Sequence, residues 1–126
     1  MGYRSNVAAM FYVNKVEHFP LIKLWLQENF PMGTFHDYIR WFDRGMVFED
    51  DSVKWYEDYD DVKAFNASVY KYFGLMHMSA EDGDDPPKFC YEFIRVGENY
   101  DDVETEHCGD HCEFLLNVTR TITVEV

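Results

Sequence analysis

The stretch YRSNVAAMFYV, residues 3–13, decides the fold that the sequence predicts. From Val7 onward its side chains are apolar or aromatic at odd and even positions alike. A strand with one wet face alternates apolar and polar residues, whereas a strand buried on both faces is a continuous apolar run. We therefore predict a strand at the centre of a sheet.

The period changes directly after this strand. In residues 14–30 apolar side chains recur at the three- and four-residue spacing of an amphipathic helix: Val16, Phe19, Ile22, Leu26 and Phe30. Pro20 fits only the first turn of a helix, so we expect the helix to begin between residues 17 and 19. A second helix is expected over residues 62–76. It follows Asp58, Asp60 and Asp61, whose charges favour a helix N-terminus.

The rest of the chain predicts strands joined by turns. Strands are expected at residues 35–48 (one bulged strand or two short ones), 53–56, 88–96, 101–107 and 114–126. Turns are expected at residues 49–52, 97–100 and 107–112. The strand at 88–96 is apolar or aromatic except for Glu92 and Arg95. Residues 114–126 alternate strictly enough to predict one half-buried strand.

This order of elements predicts the fold class. The simplest matching architecture is an α+β two-layer sandwich of one domain, residues 1–126. It has a ferredoxin-like β-α-β-β-α-β core, a C-terminal β-hairpin and both helices on one face of the sheet. No apolar run approaches the roughly 20 residues of a membrane helix, and the N-terminus lacks a signal-peptide layout. We therefore expect a soluble, cytoplasmic protein that does not bind a membrane.

Charge is distributed unevenly along the chain. Residues 1–48 contain four acidic and five basic side chains, whereas residues 49–126 contain 20 acidic and six basic ones. The acidic half is also rich in aromatic residues, which disordered acidic tails lack, so we expect it to be folded. This charge disfavours direct binding of nucleic acid or anionic lipid, both of which require Lys and Arg. It favours a basic partner, a cation, or solubility alone.

Four short blocks of the sequence are similar to one group of proteins. MGYRSNVA (residues 1–8), SVKWYEDYDDVKAF (52–65), YEFIRVGENYDDVE (91–104) and VTRTI (118–122) resemble segments of small acidic bacteriophage proteins. In that group a GYRS-type start, a VKWY-type strand and an IR(I/V)GE-x-x-DD segment recur in this order. The group has no assigned activity, so the resemblance implies no catalytic residue. It implies a phage context, in which small proteins often inhibit host machinery or defence systems.

A folded surface of carboxylates can imitate the phosphates of duplex DNA and occupy a basic nucleic-acid-binding groove. We therefore predict a phage-encoded, non-enzymatic inhibitor that binds a basic host protein, such as a defence nuclease or a CRISPR or restriction component. The residues expected to bind this partner are Glu49, Asp50, Asp51, Glu57, Asp58, Asp60, Asp61, Glu98, Asp101, Asp102, Glu104 and Glu106. One alternative is a structural or assembly protein whose acidity serves solubility. A homodimer is compatible with each hypothesis.

The segment from residue 107 to 112 supports another alternative, a metal-binding or small enzymatic protein. It contains four candidate ligands within six residues: His107, Cys108, His111 and Cys112. A complete zinc site requires further ligands from a second segment, and no second motif of this kind is present. The sequence also lacks nucleophile-elbow, phosphate-loop and HExxH motifs. We therefore expect no enzyme activity, no catalytic residue and no cofactor.

Overall fold

The computed structural model describes residues 4–79, 87–99, 102–109, 113, 115–118 and 122–124. Its helices are α1 (Phe19–Asn29), α2 (Met32–Phe35) and α3 (Asp60–Ser79). Its strands are β1 (Ser5–Val13), β2 (Ile39–Phe42), β3 (Gly45–Val53), β4 (Phe89–Gly97), β5 (Val103–Cys108), β6 (Leu116–Val118) and β7 (Ile122–Val124). The fold is therefore α+β. Within these ranges no helix has the length and apolar character needed to cross a membrane.

β1 lies in the middle of a five-stranded sheet. The strand order is β2-β3-β1-β4-β5, and every neighbouring pair is antiparallel. β1 is buried from Val7 to Val13, which confirms the predicted central strand. Its alternating side chains enter two separate clusters, with Phe11 in one and Tyr12 in the other. We call the two sides of the sheet the Phe11 face and the Tyr12 face.

The Phe11 face is closed by aromatic packing against the helices. The ring of Phe11 meets those of Phe30, Phe65 and Tyr72 edge-on, with centroids 5.6, 6.3 and 5.1 Å apart. Edge-to-face pairs at such distances stabilise a core beyond the area that they bury. α1 begins at Phe19, directly after a short 3₁₀ turn, so its predicted start is confirmed.

β2 and β3 form a hairpin, which decides between the two alternatives for residues 35–48. β3 begins at Gly45, where the chain has no room for a side chain because a Cβ would collide with the carbonyl oxygen of Phe11. β3 then continues through Val53, so the predicted turn at 49–52 and the separate strand at 53–56 are wrong. Acidic runs are typical of turns, but pairing with β1 holds this run in a strand. The pairing register shifts by one residue near Asp51, as in a β-bulge.

The C-terminal region differs from the predicted hairpin. β5 pairs with β4 at the edge of the sheet, which confirms the edge strand but moves its end to Cys108, inside the predicted turn. β6 and β7 pair with each other, Leu116 opposite Val124, so one continuous strand over 114–126 is wrong. An alternating pattern has the same two-residue period whether the segment forms one strand or two, so the pattern does not show where the chain direction reverses. The sheet has a fifth strand, β5, in addition to the four strands of a ferredoxin-like core, so the predicted ferredoxin-like core is not confirmed.

Candidate protein-interaction surface

Carboxylates of β3 and α3 lie close together on the Phe11 face. Asp50 stands opposite Val7, and directly paired residues point to the same side of a sheet. Partial burial raises the pKa of Asp50, and the charges of Asp51 and Asp61 raise it further. In the first turn of α3 the Asp61 side chain accepts the backbone N–H of Val62 at 2.8 Å. The end of β3 and the start of α3 therefore share one concentration of negative charge.

A groove of about 410 Å³ opens on the same face, between α3, the segment that precedes α3, and the β4–β5 pair. Four aromatic side chains line it: Trp55, Tyr56, Tyr91 and Phe93. Four carboxylates line it as well: Glu57, Asp58, Glu104 and Glu106. The two glutamates of β5 point into the groove because they stand opposite Arg95 and Phe93 of β4.

Arg95 lines the groove and is held by neighbouring side chains. Its guanidinium donates to Asp102 at 2.8 and 3.2 Å, to Glu104 at 3.0 Å and to Ser5 at 3.1 Å. The hydrogen bond with Asp102 contributes most to a raised pKa of Arg95, against the opposing effect of burial, and Glu104 adds to it. Arg95 therefore offsets only part of the negative charge of Asp102 and Glu104 at the start of β5.

Eight of the twelve predicted partner-binding residues thus lie around the start of α3 and the groove. We call this set the acidic band: Asp50, Asp51, Glu57, Asp58, Asp60, Asp61, Glu104 and Glu106. Three observations group them. The charges of Asp51 and Asp61 raise the pKa of Asp50, four of the other carboxylates line one groove, and residues 57–61 are consecutive in the chain.

The other four predicted residues lie outside this band. Glu49 stands opposite Ala8 on the Tyr12 face and pairs with Arg40 at 3.2 Å. Glu98 accepts the backbone N–H of Arg4 at 2.7 Å. Asp102 holds Arg95, and Asp101 falls outside the described residues. Glu49, Glu98 and Asp102 therefore already accept hydrogen bonds from groups within the protein.

Glu92 on the Tyr12 face is an acidic residue that the sequence-based site prediction missed. It is fully buried at 0% exposure. One of its oxygens accepts the Tyr12 hydroxyl at 2.5 Å and the Leu115 N–H at 3.1 Å, and the other accepts the Leu116 N–H at 2.9 Å. Buried carboxylates require such donors, because desolvation without them is costly. One feature of the sequence could have identified Glu92: like Arg95, it is a charged residue within a strand that is otherwise apolar or aromatic.

Arg44, in the turn between β2 and β3, contacts the same C-terminal segment. Its guanidinium donates to both carboxylate oxygens of Glu113 and to the Val13 carbonyl oxygen, the latter at 3.2 Å. It also lies 5.7 Å from the centre of the Tyr12 ring, whose hydroxyl accepts the Glu113 N–H at 2.7 Å. The hydrogen bond to Glu113 raises the pKa of Arg44. Glu113 is therefore attached to β1, and Leu115 and Leu116 are attached to β4.

The candidate metal ligands are only partly described. His107 stands opposite Glu92 and Cys108 opposite Tyr91, so these neighbours point to different faces of β5. His111 and Cys112 lie outside the described residues. Within the part of the chain that the structure covers, no three or more His, Cys, Asp or Glu side chains form a group able to hold a metal ion.

The chemistry available at the acidic band is recognition of positive charge. Its carboxylates accept hydrogen bonds from ammonium or guanidinium groups, and the half-buried rings of Trp55 and Tyr56 offer π-faces to such cations. Comparison of the chain with protein-family models, with curated proteins and with solved structures found no match in any of the three.

Proposed function

We propose that this chain is a non-enzymatic, phage-encoded inhibitor that binds a basic, nucleic-acid-binding host protein through the acidic band. The observation that carries the proposal is the grouping of eight carboxylates around the start of α3 and the groove, four of which line the groove itself. Carboxylates fixed on a folded surface meet Lys and Arg of a partner at a low cost in ordering. The resemblance to small acidic phage proteins favours action in the host cytoplasm, on a defence nuclease or a CRISPR or restriction component.

The test is capture of partners from host lysate on the immobilised protein at about 0.1 M and about 1 M salt. The Debye length falls from ~10 to ~3 Å between these conditions, which weakens contacts between exposed charges. We expect a basic partner at low salt that is released at high salt and displaced by duplex DNA. The absence of a salt-sensitive partner, or a partner that DNA does not displace, would contradict the proposal.

A pair of matched charge-reversal variants assigns the capture to this surface. Asp51→Lys combined with Asp60→Lys reverses two exposed charges of the acidic band. Glu17→Lys combined with Glu28→Lys reverses two exposed charges near α1. We expect only the first pair to abolish capture. Asp61 is left unchanged because its side chain accepts a backbone N–H at the start of α3.

We also propose that β1 to β4, with α1 and α3, form a ferredoxin-like core to which β5 and the β6–β7 pair are added. The order β2-β3-β1-β4, with antiparallel neighbours, supports this description. Side chains of α1 and α3 also enter the same buried cluster as Phe11. An experimental structure with a different order of these four strands would contradict it.

A further inference from the structure

The groove beside β5 is an open part of the Phe11 face. α3 packs over β4, where the rings of Phe65 and Phe93 lie 6.1 Å apart between centroids. The side chains of β5 are exposed from Val103 to His107, while Phe93 and Tyr91 beneath the groove are only 6% and 2% exposed. The groove therefore has an apolar floor, closed by tight packing, and open walls of carboxylates.

We propose that this groove receives an arginine side chain of the partner protein, between Glu57 and Asp58 on one wall and Glu106 on the other. The inference rests on the proposed function, because it specifies what part of the same surface recognises. Its argument is charge complementarity: carboxylates of two different segments face one concave space with aromatic side chains beside it.

The groove already contains one guanidinium, which shows the kind of group that its wall accommodates. Arg95 stands opposite Glu104, and its guanidinium donates to this carboxylate at 3.0 Å. Two residues further along β5, Glu106 stands opposite the ring of Phe93 rather than a cation. Across the described ranges of the chain, none of the ion pairs uses Glu57, Asp58 or Glu106. Glu106 accepts a weak hydrogen bond from the Cys108 thiol, with Sγ and Oε1 3.9 Å apart, so none of the three carboxylates is paired with a cation within these ranges.

The electrostatics of the groove agree with this geometry. Burial raises the pKa of Tyr91 well above its ordinary value, and among the charges that raise it further Glu106 contributes most. The Glu106 carboxylate therefore lies close enough to the Tyr91 hydroxyl to disfavour its ionisation. A cation bound in the groove would meet this carboxylate and the half-buried rings of Trp55 and Tyr56.

The shape and chemistry of the groove favour arginine over lysine. A guanidinium is planar, stacks on aromatic rings and donates to two carboxylates at once, and it is more weakly hydrated than an ammonium group. Lysine provides only a strongly hydrated point charge. A surface that recognised charge alone would bind both residues equally.

The experiment titrates the 126-residue protein with a blocked six-arginine peptide, and with six-lysine and six-citrulline peptides of equal length. Binding is measured by calorimetry, and the indole signal of Trp55 is followed by NMR. We expect the arginine peptide to bind at least about fivefold more tightly than the lysine peptide and to shift the Trp55 signal. Glu57→Gln combined with Glu106→Gln should weaken arginine binding about tenfold or more.

Glu17→Gln combined with Glu28→Gln is the matched control, and it should change arginine binding less than twofold, since exposed charges far from a site contribute little. Circular dichroism verifies the fold of each variant, and Glu106→Gln alone replaces the double variant if that one is unfolded. Equal loss in the two double variants, equal affinity for lysine, or no binding by the wild type would overturn the inference. Displacement of the peptide by Mg²⁺ beyond that caused by Na⁺ at equal ionic strength would also overturn it.

The proposed function is judged separately, by the capture experiment. If the Asp51 and Asp60 reversals abolish capture while the groove variant binds arginine as the wild type does, the groove assignment fails and the inhibitor proposal stands. If the arginine peptide binds as expected but no salt-sensitive partner is captured, the proposed function fails and the groove assignment stands.

Discussion

The two faces of the sheet are closed by different interactions. On the Phe11 face, rings from β1, α1, α2 and α3 interlock in one cluster, and each is supported by several others. On the Tyr12 face, a smaller apolar cluster that includes Leu116 is joined by one buried carboxylate, Glu92, which accepts hydrogen bonds from the N–H groups of Leu115 and Leu116. Apolar packing is non-directional and shared, whereas hydrogen bonds to a single carboxylate depend on that one residue. A defect should therefore spread through the first face and remain local on the second.

The largest effect is expected from Phe65→Ala. The Phe65 ring contacts those of Phe11, Phe30, Phe35, Phe48, Trp55 and Phe93. Its loss should lower the free energy of unfolding by about 3–5 kcal/mol, measured by urea denaturation. Tyr70→Ala, in the same helix but at a side chain 81% exposed, is the control and should stay within about 0.5 kcal/mol of the wild type. A cost below about 1 kcal/mol for Phe65→Ala would show that this core repacks easily.

A smaller effect is expected from Glu92→Gln. The amide NH₂ group can no longer accept one of the backbone N–H groups of Leu115 and Leu116, which should cost about 1–3 kcal/mol. The measurement is hydrogen exchange of these two amides, which should accelerate far more than exchange in α3. Glu106→Gln, an exposed change of the same type, should leave both unchanged. Uniform acceleration throughout the protein would contradict the local character assigned to the Tyr12 face.

The smallest effect, and one of opposite sign, is expected from Asp50→Asn. The pKa of Asp50 is raised above its ordinary value of 3.8, so the folded protein binds this proton more tightly than the unfolded chain. Wild-type stability therefore falls as the pH rises from 3.8 through the raised pKa. The variant lacks this loss and should be more stable at neutral pH, by at most about 0.5 kcal/mol, because the side chain is only partly buried and solvent screens its charge.

Thermal unfolding at about pH 7 and about pH 3 checks this prediction, since the difference between the two proteins should disappear at the lower pH. Glu28→Gln, an exposed change on α1, is the control. An Asp50→Asn variant less stable than the wild type at neutral pH would show that the Asp50 carboxylate is stabilising despite its neighbours.

The elements that could be predicted from the sequence are those whose signal is local. β1 and α1 were predicted correctly because continuous apolar character and the three- and four-residue spacing are properties of the segment itself. The acidic run beginning at Glu49 was assigned to a turn because nothing local reveals that β1 pairs with it. The partners of Glu92 and Arg95 were likewise out of reach, because both depend on segments that meet only in the folded chain.

The attachment of Glu113, Leu115 and Leu116 to the sheet has a consequence for the order in which the protein assembles. The hydrogen bond from the Glu113 N–H to the Tyr12 hydroxyl joins residues 101 positions apart, so it forms only after most of the chain has been synthesised. Until then Glu92 has no N–H groups of Leu115 and Leu116 to accept from, and its carboxylate remains hydrated. The Glu92 carboxylate, which later accepts hydrogen bonds from Leu115 and Leu116, thus keeps water on the uncovered face of the incomplete sheet. Its charge disfavours association of that face with other chains before synthesis is finished.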